Sequence, residues 1–211
     1  MKLVIFDLDG TLIDSGEDIA RSVNEMLEGR GRPPLPHDRI RSYVGNGVHK
    51  LMERSLGNVS AYEIAQAEAL YLSIYRRRLL ETTRAYPGAT AALEALHRRE
   101  LPLAVLTNKP VRESRKILDG LGLRRYFRAV YGGDSFERKK PDPMGVLFLL
   151  EETKVGPGET LFVGDSLVDL QTARNAGVRS CLVTYGMGAL PEDFGKPDFL
   201  IDDLRRLPVI V

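Results

Sequence analysis

The stretch FDLDGTLIDS, residues 6–15, follows the apolar run KLVIF (2–6) and sets two aspartates, Asp7 and Asp9, directly at its end. The run up to Phe6 reads as a strand buried on both faces. An acid that closes such a strand is costly unless it is paired or bound to a cation. Asp9-Gly10 taken alone is also a turn signal. What the two acids mean therefore depends on what the rest of the chain brings to the same place.

Five further runs share the character of the first: LPLAVLT (101–107), AVYGG (129–133), TLFVG (160–164), SCLVT (180–184) and DFLI (198–201). Each is short, nearly continuously apolar and bounded by Gly, Pro, Asp or Asn, as strands of a parallel sheet are. Helical patterns over 87–100, 110–122 and 142–154 separate most of them. This alternation predicts an α/β fold, a doubly wound Rossmann-like parallel sheet. Asp142 before Pro143 reads as a helix N-cap with proline at the first helical position.

Residues 15–84 interrupt the alternation. They carry no convincing strand, only helical pattern: Ile19, Val23, Met26 and Leu27 fall on one helix face, and Ser60 with Glu63 forms a capping box ahead of Ile64, Ala67, Leu70, Tyr71 and Ile74. A loop over 29–36 and a glycine turn opening a helix within 44–57 lie between. The reading is a sheet domain of residues 1–14 and 85–211 with a helical insert at 15–84.

The totals narrow the partners. Thirty basic against twenty-nine acidic residues give a net charge of +1 in 211 residues, which argues against nucleic acid or an anionic membrane. The one cysteine, Cys181, lies in an apolar run and reads as a buried thiol in a reducing compartment. The opening residues read as neither signal peptide nor membrane span. A soluble cytoplasmic protein, monomer or homodimer, is the expectation.

Ligands of open parallel sheets bind at the carboxyl ends of the strands. The first strand ends in Asp7, Asp9, Gly10 and Thr11, and the second in Thr107, Asn108 and Lys109. The loop after the third carries Lys139 and Lys140, and the fourth ends in Asp165, Ser166 and Asp169. Taken singly, Asn108 could start a helix, Lys140 could be a solvated loop lysine, and Asp169 could merely cap. Together they crowd carboxylates at one edge, which a Mg²⁺-like ion makes tolerable. Lys140 and Thr107 then suit a phosphate.

The order DLDGT, Thr-Asn after a strand, a Lys-Pro loop and GDSLVD resembles the haloacid dehalogenase-like hydrolases, in their phosphatase branch, over almost the whole chain. VGNG (44–47), TNKP (107–110), KPDP (140–143) and GDSLVDLQTARNAG (164–177) most resemble the phosphoglycolate phosphatases. That resemblance implies that 15–84 is an all-helical cap domain, hinged near 14–16 and 83–88. It implies a Mg²⁺-dependent phosphatase for a small phosphorylated metabolite, with 2-phosphoglycolate favoured. Asp7 would be the nucleophile and Asp9 the general acid and base. Asp7, Asp165 and the carbonyl of Asp9 would hold Mg²⁺, with Asp169 orienting that shell or binding through water. Thr107, Asn108 and Lys140, with Gly10 and Thr11, would surround the phosphate. Asn46 and Gly47 would approach the substrate's far end. His49, Lys50 and Arg54 are candidates for a carboxylate there, though a solvated helix face is the stronger reading of all three, and Lys109 could also reach the substrate. A sugar-phosphate mutase, a hydrolase of pyrophosphate or nucleotides, and a phosphorelay receiver are the alternatives. The last predicts a shorter chain without a helical insert.

Overall fold

All six apolar runs become strands of one parallel sheet in the computed structural model, which describes residues 1–188 and 195–211. The strands are β1 (Leu3–Phe6), β4 (Leu103–Leu106), β5 (Ala129–Tyr131), β6 (Thr160–Gly164), β7 (Arg179–Val183) and β8 (Phe199–Ile201). Their order across the sheet is β5-β4-β1-β6-β7-β8, the doubly wound arrangement. The chain reverses its direction of travel around β1, so the ligand crevice falls at the ends of β1, β4 and β6.

Successive strand residues point to opposite faces, and the core divides accordingly. Val4, Phe6, Val105 and Val163 pack on one side against α5 (Ala89–Arg98) and α6 (Val111–Gly120) through Leu93, Leu96, Ile117 and Leu118. Leu3, Ile5, Leu106 and Phe162 pack on the other against α7 (Met144–Thr153) and α8 (Leu167–Ala176), through Val146, Leu149 and Ala173. Burial on both faces is why these strands carry continuous rather than alternating apolar residues. Cys181, in β7, is fully buried, and burial pushes its thiol up to about 12.

Four helices fill the interval after β1: α1 (Gly16–Glu28), α2 (His37–Arg41), α3 (Val48–Leu56) and α4 (Ala61–Tyr75). Helix α1 packs on α2 and α4, and α3 packs on α4. The Ser60–Glu63 capping box is present at the start of α4.

Two details differ from the sequence reading. The interval is entered and left through a two-residue antiparallel ribbon, β2 (Ile13–Asp14) with β3 (Arg84–Ala85), so a strand does occur at its margin. Pairs this short leave no periodicity to detect. Helix α7 begins at Met144, with Pro143 in the cap position; Asp142 still accepts from the Met144 amide at 2.9 Å, one residue earlier than a true N-cap.

Candidate active site

Strand β1 hands its last ladder bond to Asp7, whose amide donates to the Val163 carbonyl at 2.9 Å. The chain then turns sharply: the Leu8 carbonyl accepts from the amides of Thr11, Leu12 and Ile13. Gly10 sits at φ +84°, and any side chain there would run into the carboxylate of Asp165. Both the left-handed backbone and the close approach exclude other residues. Thr11, fully buried, directs its hydroxyl at Asp165 Oδ1.

Strand β6 delivers Asp165, and the first turn of α8 delivers Asp169. Asp165 Oδ2 accepts from the amides of Met187 and Gly188, each at 2.8 Å. Asp169 Oδ2 accepts from the Ser166 hydroxyl at 2.6 Å and the Ser166 amide at 3.0 Å, completing the capping box. Its Oδ1 faces Lys140 Nζ at 2.6 Å. The same ammonium lies 2.9 Å from Asp7 Oδ1 and pairs with it.

Asp7, Asp165 and Asp169 thus bring three carboxylates within 4.8 Å of one another against one ammonium. The imbalance shows in their proton affinities. Burial pushes Asp7 up to about 6 against the pull of Lys140, and pushes Asp165 up to about 7 with Asp169 and Asp7 adding to it. Burial works against the Lys140 ammonium, but Asp169 and Asp7 outweigh it and hold it above the usual lysine range. Hard oxygen donors and surplus negative charge fit a divalent cation.

The end of β4 supplies Thr107, Asn108 and Lys109. Thr107 is buried beside Asp7. Asn108 Nδ2 donates to the carbonyls of Gly45 and Lys140, both at 3.0 Å, tying the glycine turn of the insert to the lysine loop. Lys109 Nζ reaches Asp9 Oδ1 at 2.9 Å, Asp9 Oδ2 at 3.1 Å and the Tyr75 hydroxyl at 2.6 Å. Ser15 donates to the same Asp9 carboxylate.

A cavity of about 480 Å³, open mouth included, sits over these residues. That is toward the small end of ligand cavities, roughly 300–1,000 Å³. Asp7, Asp9, Thr107, Asn108 and Lys109 line its polar side, and Ile19, Val48, Leu51, Tyr71 and Tyr75 of the insert line the other.

The haloacid dehalogenase-like hydrolase family matches residues 4–183 of this sequence. The chain belongs to that family. Among similar proteins, a phosphoglycolate phosphatase of Pseudomonas putida is 41% identical over 213 residues, covering 98% of this chain and 78% of the other. One of Vibrio parahaemolyticus is 36% identical over 219 residues, covering 100% and 96%. A crystal structure described as a predicted phosphoglycolate phosphatase from Haemophilus somnus 129pt matches with a TM-score of 0.94 at 32% identity, covering 100% of this chain and 97% of that one.

In this haloacid dehalogenase-like hydrolase the expected site residues fall in two layers. Asp7, Asp9, Thr107, Asn108 and Gly47 line the cavity. Lys140, Asp165, Gly10 and Thr11 lie among or beside the buried carboxylates. The carboxylate of Asp9 faces Lys109 and Ser15 and is not part of the Asp7–Asp165–Asp169 group. Asn46 lines a different cleft, with Arg54, Ser166 and Leu167. His49 pairs with Glu68, Lys50 with Glu53, and Arg54 donates to the Tyr43 carbonyl, none of them among the cavity's lining residues. Tyr75 and Ser15 entered no sequence-based site. Tyr71 and Tyr75 stand one turn apart on α4, and their spacing marks an apolar face without marking the hydroxyls.

Proposed function

We propose that the protein is a Mg²⁺-dependent phosphatase that hydrolyses a small phosphomonoester, 2-phosphoglycolate foremost, through an aspartyl-phosphate on Asp7. The buried cluster of Asp7, Asp165 and Asp169, three carboxylates against the single ammonium of Lys140, carries this reading. The names of the relatives supply the substrate.

Asp7 and Asp165, with the Asp9 carbonyl, would hold the ion; Asp169, in contact with Lys140 and capping α8 through Ser166, would orient the cluster. Bound Mg²⁺ would neutralise the crowded carboxylates and the phosphoryl oxygens. The Asp7 carboxylate attacks phosphorus, the bond to the ester oxygen breaks, and protonated Asp9 gives its proton to the departing alkoxide. Water then attacks the same phosphorus, Asp9 takes its proton, and the bond to Asp7 breaks to release inorganic phosphate. Thr107, the Asn108 amide and Lys140 surround the phosphoryl oxygens and favour the charge they gain in the transition state.

Residues 15–84 act as a cap over the sheet domain of residues 1–14 and 85–211, holding off bulk solvent while admitting the one water that hydrolyses the acyl phosphate. The small cavity, whose far wall comes from this segment, supports that role. Balanced charge and a single buried thiol support a cytoplasmic enzyme of small metabolites. Among the described residues no helix is long and apolar enough to cross a membrane.

Phosphate release from 2-phosphoglycolate, sugar phosphates, pyrophosphate and nucleotides, with and without Mg²⁺ and with Asp7→Asn as blank, tests the proposal. Mg²⁺-dependent release with preference for 2-phosphoglycolate is the expected result. Retention of phosphate on Asp7 with no release from any substrate would overturn hydrolysis.

A further inference from the structure

We infer that Lys109, clamped by Tyr75, is the group that recognises the carboxylate of the substrate, exchanging its ion pair with Asp9 for one with the incoming acid. The inference rests on the phosphatase reading above and adds to it the residue that selects an acidic phosphoester.

A substrate with a phosphate at one end and a carboxylate at the other cannot leave the second charge buried and unpaired. The cavity offers little to meet it. Ile19, Val48, Leu51 and Tyr71 form an apolar wall, and Lys109 is the only cation among the described residues that line the space. Lys139 brings its Nζ near Gly47 but lines the neighbouring cleft behind Asn108, and the remaining nearby cations are paired. Lys140 serves Asp7 and Asp169, Arg76 serves Glu113, and Lys50 pairs with Glu53 on the exposed side of α3.

Lys109 is also built to stay where it is. It is 7% exposed, its Nζ donates to the Tyr75 hydroxyl at 2.6 Å, and the same nitrogen lies 4.6 Å from the centre of the Tyr75 ring. Its third partner is the two-oxygen face of Asp9, at 2.9 and 3.1 Å. A substrate carboxylate presents the same two oxygens and can take that place. The exchange leaves the ammonium paired throughout and frees Asp9 to face the departing oxygen. A phosphoester without a carboxylate offers Lys109 nothing for which to release Asp9. Preference for an acidic substrate is thereby tied to readiness of the proton donor.

The test compares kcat/KM for 2-phosphoglycolate with that for its carboxamide, 2-phosphoglycolamide, which keeps size and leaving group but loses the charge. Wild-type protein is expected to favour the acid by about a hundredfold, as sites do that are built around a buried polar partner. K109M is expected to lose about a hundredfold on the acid and much less on the amide, so the ratio collapses toward one. Y75F, which removes only the hydroxyl clamp, is expected to lower the ratio in the same direction. The wild-type comparison stands even if K109M does not fold. Equal loss on both substrates in K109M would make Lys109 only a holder of Asp9 and overturn the inference, as would a wild-type enzyme indifferent to the charge. In both cases phosphate release by the wild type keeps the phosphatase reading intact. If the wild type releases phosphate from neither compound, that reading falls, and this one with it.

Discussion

Arg76, the residue that ends α4, places its Nε 2.6 Å from Oε1 of Glu113 in the first turn of α6. Glu113 is buried with its other oxygen unpartnered, whereas Arg76 is partly exposed. The pair joins the end of α4 to the first turn of α6. Removing the cation strands a buried carboxylate, so Arg76→Ala should destabilise the fold by about 2 kcal/mol. Glu113→Gln in that background should recover most of the loss. Urea midpoints of the four proteins in the cycle measure it, and additive effects would show that the two side chains do not interact.

A second tie holds the two crossings of the insert together. Asp18, in the first turn of α1, accepts from the amides of Thr82 and Thr83 at 3.0 and 2.8 Å and from the Thr83 hydroxyl at 2.7 Å. Burial alone would raise its carboxyl, but these hydrogen bonds outweigh it and hold the group below the usual carboxylate range. The stabilisation is therefore complete above the unfolded value near 3.8 and is lost as pH falls through the depressed folded value. Asp18→Ala should cost about 3 kcal/mol near neutral pH by leaving several donors unsatisfied. The deficit, read from denaturant melts, should shrink in acid; a constant deficit across pH would point to lost packing instead.

Substitutions at the two leading acids separate their tasks. Asp9→Asn should lower kcat by about a hundred- to ten-thousandfold through loss of proton transfer. Asp7→Asn should bring phosphate release to background. Because burial disfavours the charged form of Asp7, with Asp169 adding to it against the pull of Lys140, that variant should also melt higher than wild type without metal, which excludes misfolding as the cause of inactivity. A lower melting temperature would contradict the electrostatic account.

The carboxylate cluster fixes the sign of a pH effect. Without metal, burial in the folded chain pushes the Asp7 and Asp165 carboxyls up to about 6 and about 7, against 3.8 as the ordinary value. Between these values the folded chain holds protons that the unfolded chain has released, so stability falls as pH rises from about 4 to about 7 and then levels. Mg²⁺ competes with those protons, and its stabilisation should grow over the same window. Melts at about pH 5 and about pH 8, with and without Mg²⁺, should show the larger shift at the higher pH. Asp165→Asn should abolish the response, and an equal shift at both pH values would place the ion elsewhere.

The sheet was legible because its strands are buried on both faces, which writes them as continuous apolar runs, and because acids at strand ends are conspicuous where charge is otherwise excluded. The ribbon of Ile13–Asp14 and Arg84–Ala85 was not, since two residues carry no period. The bearing of α3 could have been taken from spacing. Leu51, Met52, Ser55 and Leu56 make its buried face, which leaves His49, Lys50 and Arg54 on the outward side. Lys109 meeting Asp9 and Tyr75 spans separations of 100 and 34 residues. No local pattern announces a contact of that range, and Tyr75 is written in the sequence as one more apolar residue of α4.

The burial of Cys181 gives the protein a built-in reporter. It is the chain's only thiol and sits in β7 between β6 and β8, fully enclosed and protonated at neutral pH. A thiol reagent can reach it only in molecules whose central sheet has parted, so labelling per unit time counts openings of the sheet. Motions confined to the insert leave that count unchanged. The two kinds of movement can therefore be timed separately in the unmodified protein, with one reagent and no added probe.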